Sequence, residues 1–387
     1  MIPLKYNVRN LRVRWVTTLL TVLGTGAIVW SSCILFGLVE GLEHSLKVSG
    51  EPLDLIVLRQ GSSNETNGGY DLTKAEKLAT IPGIAHDEQG RPMVGLELLN
   101  IPVVQRRDGT STNLIIRGVD PVSPALRPDF KILEGGRMFV PGRGEAVVSR
   151  NISKRFKGTG LGEELVVGAK EKYRVVGIFT AGGSAAESEV WVDRKELEQN
   201  TAREGSVSSV QIRAGSPAEL ESVRKAIEDD TQFKLDAIPE AKYFAEQQRS
   251  SLFLKTGGTL IAILLTIGAM FAAANTMYAA VSSRTREIGT MRALGFSRFD
   301  ILFSFLGESI LLCTLGGLAG LLATLPLSAL TFGGAFGTFT EVTVNFRFGP
   351  IVMAVAFAMT MAMGVFGGLF PALRAVRMDV ISALREV

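Results

Sequence analysis

Four long apolar runs alternate with polar stretches along the chain: Trp15 to Val39, Thr256 to Ser283, Ile301 to about Leu330, and Pro350 to about Leu373. At about 1.5 Å of rise per residue, the first run alone makes a helix of roughly 37 Å, enough to cross a hydrocarbon layer of about 30 Å. The pattern predicts an α-helical membrane protein with four transmembrane helices, at 15–39, 256–283 (within a segment 251–283 that includes the end of a stalk), 301–330 and 350–373. Basic residues before the first run also fit a cleaved signal peptide. The apolar core of such a peptide is only about 7–15 residues long, so an uncleaved anchor is expected. From Pro239 to Ser251 the sequence is polar and helix-forming and has no stop, which predicts one long helix leading into the second span.

The polar stretch 40–250 reads as an α+β extracytoplasmic domain. Pro52–Leu58 alternates and then runs apolar like a strand, Leu72–Ile81 has helical spacing that Pro82-Gly83 stops, and Met93–Val104 is a further strand. The same order recurs at the far end: a strand at Ser206–Arg213, a helix begun by Ser216-Pro217 and carrying Leu220, Val223 and Ile227, and a strand at Phe233–Ile238. Two β-α-β units at the ends of one domain predict a split ferredoxin-like lobe. The residues between them, about 110–200, hold short glycine-punctuated strands at 113–118, 144–149, 164–168, 173–179 and 189–193, which predict an inserted β-rich lobe.

Charge orients these segments. The stretch from Glu40 to Ser250 carries 28 Lys/Arg and 32 Asp/Glu, whereas the rest of the chain has an excess of seven positive charges. Of the 13 basic residues outside that stretch, 11 fall in 1–14, 284–300 and 374–387. The positive-inside rule therefore makes these three segments cytoplasmic and puts both termini inside, with 40–250 and the loop 331–349 outside. Lys255 and Arg347 sit at outer helix ends, where they can snorkel. This asymmetry is topological and gives no reason to expect nucleic-acid binding.

Candidate chemistry is sparse. The two histidines, His44 and His86, are far apart and lack metal-ligand spacing, so no metal site is expected. Cys33 and Cys313 lie in apolar runs, which leaves the outer domain without a disulfide. The chain contains neither a Gly-rich loop ending in Gly-Lys-Ser/Thr nor a Gly-x-Ser-x-Gly elbow, so it is expected to be no enzyme and to hold no cofactor of its own. The glycines between 135 and 162 read as turn residues.

Two features remain. Between Arg284 and Arg298 lie four arginines and one acid, with Ile288, Met291 and Leu294 or Phe296 near helical spacing. This pattern fits equally a helix lying along the membrane surface and a helix that inserts into a groove of a cytoplasmic partner. Glu308 is the one acid well inside an apolar run. At two turns from Asp300 it can reach the cytoplasmic interface or pair with an arginine of the joint, and intramembrane acids otherwise raise a functional question.

Arg286-Glu-Ile-Gly-Thr-Met-Arg-Ala-Leu-Gly295, followed by Asp300-Ile301, Glu308 and Gly316-Gly-Leu-Ala-Gly320, resembles the transmembrane domain of MacB/FtsX-type ABC transporter permeases. The ending Pro371-Ala-Leu-Arg-Ala-Val-Arg-Met-Asp-Val-Ile-Ser-Ala-Leu-Arg-Glu386 is similar to that of the family, with Val380 where a proline often follows the aspartate. The order of one span, a large outer domain and three spans matches as well. The resemblance implies a bacterial inner-membrane permease that works as a homodimer or heterodimer. It also implies an ABC ATPase, separate or fused in the family, that holds ATP and magnesium, with a periplasmic adaptor and an outer-membrane duct as further partners. Without a Walker motif in this sequence, the ATPase is expected to be a separate chain. In the family the joint is the coupling helix, so Arg286, Glu287, Ile288, Met291, Arg292 and Gly295 are expected to meet the ATPase. The outer domain is then moved by ATP-driven closure, a mode called mechanotransmission. Export or extraction is the implied task. An FtsX-like transmitter that activates a cell-wall hydrolase, a lipoprotein-releasing permease and a receptor without an ATPase are the alternatives.

Overall fold

The computed structural model describes residues 15–127, 129–168, 171–329, 331–334 and 342–378. The expected N-terminal segment 1–14 and the end of the tail, 379–387, lie outside them. Two compact units are present, one built from Met1–Gly41, Phe253–Leu330 and Phe346–Val387, the other from Leu42–Leu252 and Thr331–Asn345.

The described residues open with α1 (Trp15–Ser49), which continues past Val39 because nothing breaks it before Gly50-Glu51-Pro52. Next come β1 (Asp54–Arg59), β2 (Tyr70–Asp71), α2 (Leu72–Leu78) and β3 (Val94–Asn100). The side chain of Asp71 caps α2 by accepting from Thr73 N–H. The strand expected to run from Met93 to Val104 is broken at Ile101-Pro102, since a proline has no N–H to give a ladder. Residues beyond the break form a separate hairpin, β4 (Val103–Gln105) with β5 (Ser111–Asn113).

The inserted lobe contains β6 (Ile115–Val119), β7 (Phe130–Ile132), β8 (Glu145–Ser149), α3 (Arg150–Arg155), β9 (Glu164–Val167), β10 (Glu171–Ala181), β11 (Glu189–Asp193) and α4 (Arg194–Asn200). Its expected strands are present, together with two short helices that were not anticipated. At six and seven residues they are too short to show a period, although Ser149 and Asp193 cap them in the usual way. The lobe closes on β12 (Ser206–Val207), β13 (Ser209–Arg213), α5 (Pro217–Glu228, capped by Ser216) and β14 (Leu235–Pro239).

Strands β14, β1, β13 and β3 lie side by side in that order and every pairing is antiparallel, which is the arrangement of a ferredoxin-like βαβ pair split by an insertion. Helices α2 and α5 cover one face through Ala75, Leu78, Val223 and Ile227. Ile56 and Leu58, on the other face of β1, pack on Tyr243, so β1 is apolar at successive positions because it is buried on both sides. β3 also pairs with β6, so the two lobes share one sheet instead of stacking two.

At this junction Arg117 donates to Glu189 (2.8 and 2.6 Å), Glu65 (2.9 and 3.2 Å) and Glu97 (2.6 Å), and Arg127 donates to Glu97 (2.8 and 3.0 Å). Burial pushes the Glu97 carboxyl up, but Arg127 and Arg117 outweigh it and hold the group down at about 2. The Arg127 guanidinium lies 4.8 Å from the Trp191 ring centroid, and Trp191 stacks on Phe130 at 4.7 Å.

The chain then forms α6 (Glu240–Ser282), α7 (Thr285–Ala293), α8 (Arg298–Thr324), β15 (Thr331–Gly334), β16 (Val342–Asn345) and α9 (Pro350–Arg377). α6 is a single helix of 43 residues, as the absence of a stop predicts. α8 gives way to a 3₁₀ turn at Leu325–Ala329, where Pro326 ends the regular hydrogen bonding. Among the described residues, four stretches are long and apolar enough to cross a membrane: Trp15–Ser49, Lys255–Ser282, Arg298–Ser328 and Pro350–Arg377.

Close helix approach depends on glycines in α8 and α9. A Cβ at Gly320 would stand 2.5 Å from Gly26 O on α1, and one at Gly367 would stand 2.7 Å from Ala273 Cβ on α6. Gly257, Gly258 and Gly268 of α6 have nothing within 4 Å, so no other helix among the described residues packs on them.

Candidate functional site

The joint between α6 and α8 is held by local hydrogen bonds that its sequence specifies. α7 ends with Gly295 at φ +93°, a conformation that glycine adopts without a Cβ penalty. Gly295 N–H donates to Arg292 O (3.2 Å) and Phe296 N–H to Met291 O (3.1 Å), the paired bonds of a Schellman motif. Ser297 then starts α8 with a capping box: its hydroxyl accepts from Asp300 N–H (3.1 Å) and its N–H donates to the Asp300 carboxylate (3.1 Å). One helix therefore stops and the next begins within a few residues, which leaves the joint little freedom.

A buried ion pair ties this joint to α8. Arg284 lies at the N-terminus of α7, and its two terminal nitrogens donate to Glu308 at 2.8 and 3.2 Å. Arg284 is 6% exposed and Glu308 4%. The bidentate geometry leaves neither charge uncompensated in the apolar surroundings. Of the two readings left open for Glu308, pairing with an arginine of the joint is the one observed. Arg284 was not among the expected site residues. It could have been found as the first charge after the apolar run of α6, opposite in sign to the lone acid of the next run.

The six residues expected at the joint divide by exposure. Arg286 and Glu287 are exposed, while Met291 and Arg292 are half-buried. Ile288 is 1% exposed and packs with Met277, Val281, Ile301, Phe305 and Ala372. This corrects its expected place on a partner-facing surface: the helical period that sets Arg284 inward also carries Ile288 inward. Gly295 acts through its backbone as the αL cap. Leu294 is 74% exposed beside it, an apolar side chain on a surface otherwise marked by Arg286 and Arg298. Among the described residues no group of three or more His, Cys, Asp and Glu could hold a metal ion.

Residues 18–230 match the MacB-like periplasmic core domain, and residues 259–380 match the FtsX-like permease C-terminal domain. The chain is 26% identical over 98% of its length to the macrolide export ATP-binding/permease protein MacB of Rhodospirillum rubrum. It is also 26% identical over 96% of its length to the pyoverdine export ATP-binding/permease protein PvdT of Pseudomonas entomophila. It spans 60% and 58% of those proteins' own lengths. Among solved structures, the periplasmic region of MacB from Actinobacillus actinomycetemcomitans aligns with a TM-score of 0.38 at 10% identity, over 50% of this chain and 92% of that one. With one matched domain covering more than half its length and the other following it, this chain belongs to the MacB/FtsX-type family of ABC transporter permeases.

Proposed function

We propose that this chain is the permease subunit of a transporter in which a separate ABC ATPase docks on α7 and drives export or extraction of a substrate by moving the outer domain. The observation that carries the proposal is the build of the joint. α7 exposes Arg286, Glu287 and Leu294, and it is fixed to α8 by the Arg284–Glu308 pair and the adjoining caps. An exposed apolar anchor with a charged rim suits insertion into a groove of a partner. A helix held this way passes a push to α8 without bending at the turn.

ATP and magnesium are held by the partner, and the permease chain does no covalent chemistry. It works as a dimer, with its termini and joint in the cytoplasm. The names of the two relatives, which pair ATP binding with permease and specify export, support this reading. The test is the ATPase rate of the reconstituted complex with Arg286→Glu and Leu294→Asp, both at exposed positions. The proposal expects coupled activity to fall at least tenfold with the thermal midpoint of the permease unchanged. Unchanged coupling in both variants would overturn it.

A further inference from the structure

The outer unit encloses a cavity of about 390 Å3 that the transport reading does not use. Leu42, Leu46, Ile56, Leu99, Phe130 and Phe244 supply its apolar wall. Its charged lining is uneven: the carboxylates of Glu51, Glu65, Asp129, Glu189 and Glu240 face two cations, Arg117 and Arg127. Both arginines are already engaged by Glu65, Glu97 and Glu189, so neither is available to an anion.

One corner of the cavity is unsatisfied. Glu240, 4% exposed at the first position of α6, accepts from Gln211 Nε2 (2.5 Å) and from the backbone N–H of Glu51 (2.9 Å). Gln211 on β13 is 5% exposed, and its Oε1 has no donor among the described residues. A buried amide oxygen without a donor costs free energy, and a buried carboxylate without a cation costs more. A group that carries several N–H donors and a positive charge answers both.

We propose that this cavity binds a small organic cation. Its ammonium or amidinium head sits between Gln211 Oε1 and the Glu240 carboxylate, and its apolar body lies against the aliphatic and aromatic wall. A neutral alcohol can satisfy the amide oxygen but not the carboxylate. An anion meets only carboxylates and arginines that are already paired.

The groups facing Glu240 are Glu51, Asp54, Gln211, Arg127 and, through its pair with Asp54, Arg213. Burial, with Asp54 adding to it, pushes the Glu240 carboxyl up to about 8. Below that pH the site must release a proton to take the cation, so binding tightens as pH rises from 6 to 8. The inference rests on the outer unit alone, so it stands or falls apart from the ATPase reading.

The test is calorimetric titration of the full-length chain in nanodiscs with 4-phenylbutylamine, 4-phenylbutanol and 4-phenylbutyrate. The expected result is that the amine binds at least tenfold more tightly than the alcohol at pH 8, that the carboxylate does not bind, and that the amine weakens toward pH 6. Glu240→Gln, with its fold checked by the thermal midpoint, should bring amine and alcohol to equal affinity. If the wild-type chain binds amine and alcohol equally, or prefers the carboxylate, the proposal is overturned without reference to any variant.

Discussion

Replacing Arg284 by methionine leaves Glu308 with no counter-charge in a site that is 4% exposed to solvent. Breaking a buried pair from one side costs about 3–5 kcal/mol, because the remaining charge stays desolvated and unpaired. Glu308→Gln should cost a comparable amount by leaving the Arg284 guanidinium short of charge, with its stacking at 5.9 Å from the Phe305 ring as weak compensation. The combination Arg284→Met with Glu308→Leu removes both charges at similar volume and should fall within about 1–2 kcal/mol of wild type. At about 2–4 °C per kcal/mol for a unit of this size, each single variant lowers the thermal midpoint by roughly 10 °C. The double variant should recover most of that loss. Tryptophan fluorescence in detergent can follow the transition, since Trp30 donates from α1 to Ala323 O on α8 and senses their packing. If the double variant is as unstable as the two single losses added together, the pair is not the tie described here.

Three further outcomes follow from the geometry. An acid whose folded pKa stands above its ordinary value weakens the fold as pH rises between the two. Burial lifts Glu240 from 4.5 to about 8, so chemical denaturation of the wild-type chain should show a fall in stability across that window to which Glu240 contributes at most about 5 kcal/mol. Glu240→Gln should show a shallower fall, since Glu51 and Asp54 are raised as well. Gly320→Leu meets Gly26 O at 2.5 Å and should cost at least about 1–3 kcal/mol of thermal stability, whereas Gly257→Ala, with nothing within 4 Å, should be neutral or slightly stabilising. Cysteines placed at the exposed positions Thr290 and Ser63, in a background without Cys33 and Cys313, should label from opposite sides of the membrane. Labelling of both from outside would reverse the topology.

Much of this architecture can be read from periodicity. The two β-α-β units announced themselves by alternation, helical spacing, the stop at Pro82-Gly83 and the start at Ser216-Pro217, because each signal is local. What escaped was long-range. Glu97 and Arg117 are lone charges in apolar strands and Glu189 opens a third, and only the pairing of β3, β6 and β11 brings them together. The break at Pro102 was visible as a residue but was outweighed by the apolar run around it. In the joint, the motif marked the segment while the helix phase set where its side chains lie: Ile288 turned inward, Gly295 became a cap, and Arg284 emerged as the partner of Glu308. The cavity could not have been found, since its walls come from nine separate stretches of chain.

The central claim is that a nucleotide-binding subunit contacts α7 through its exposed side, and a photo-crosslinking amino acid placed at Leu294 in cells tests it directly. The account predicts an adduct identified by mass spectrometry as an ABC ATPase, and none from the same probe at Ser63. An adduct at Leu294 with any other protein, or no adduct in a chain that is correctly inserted, would contradict it.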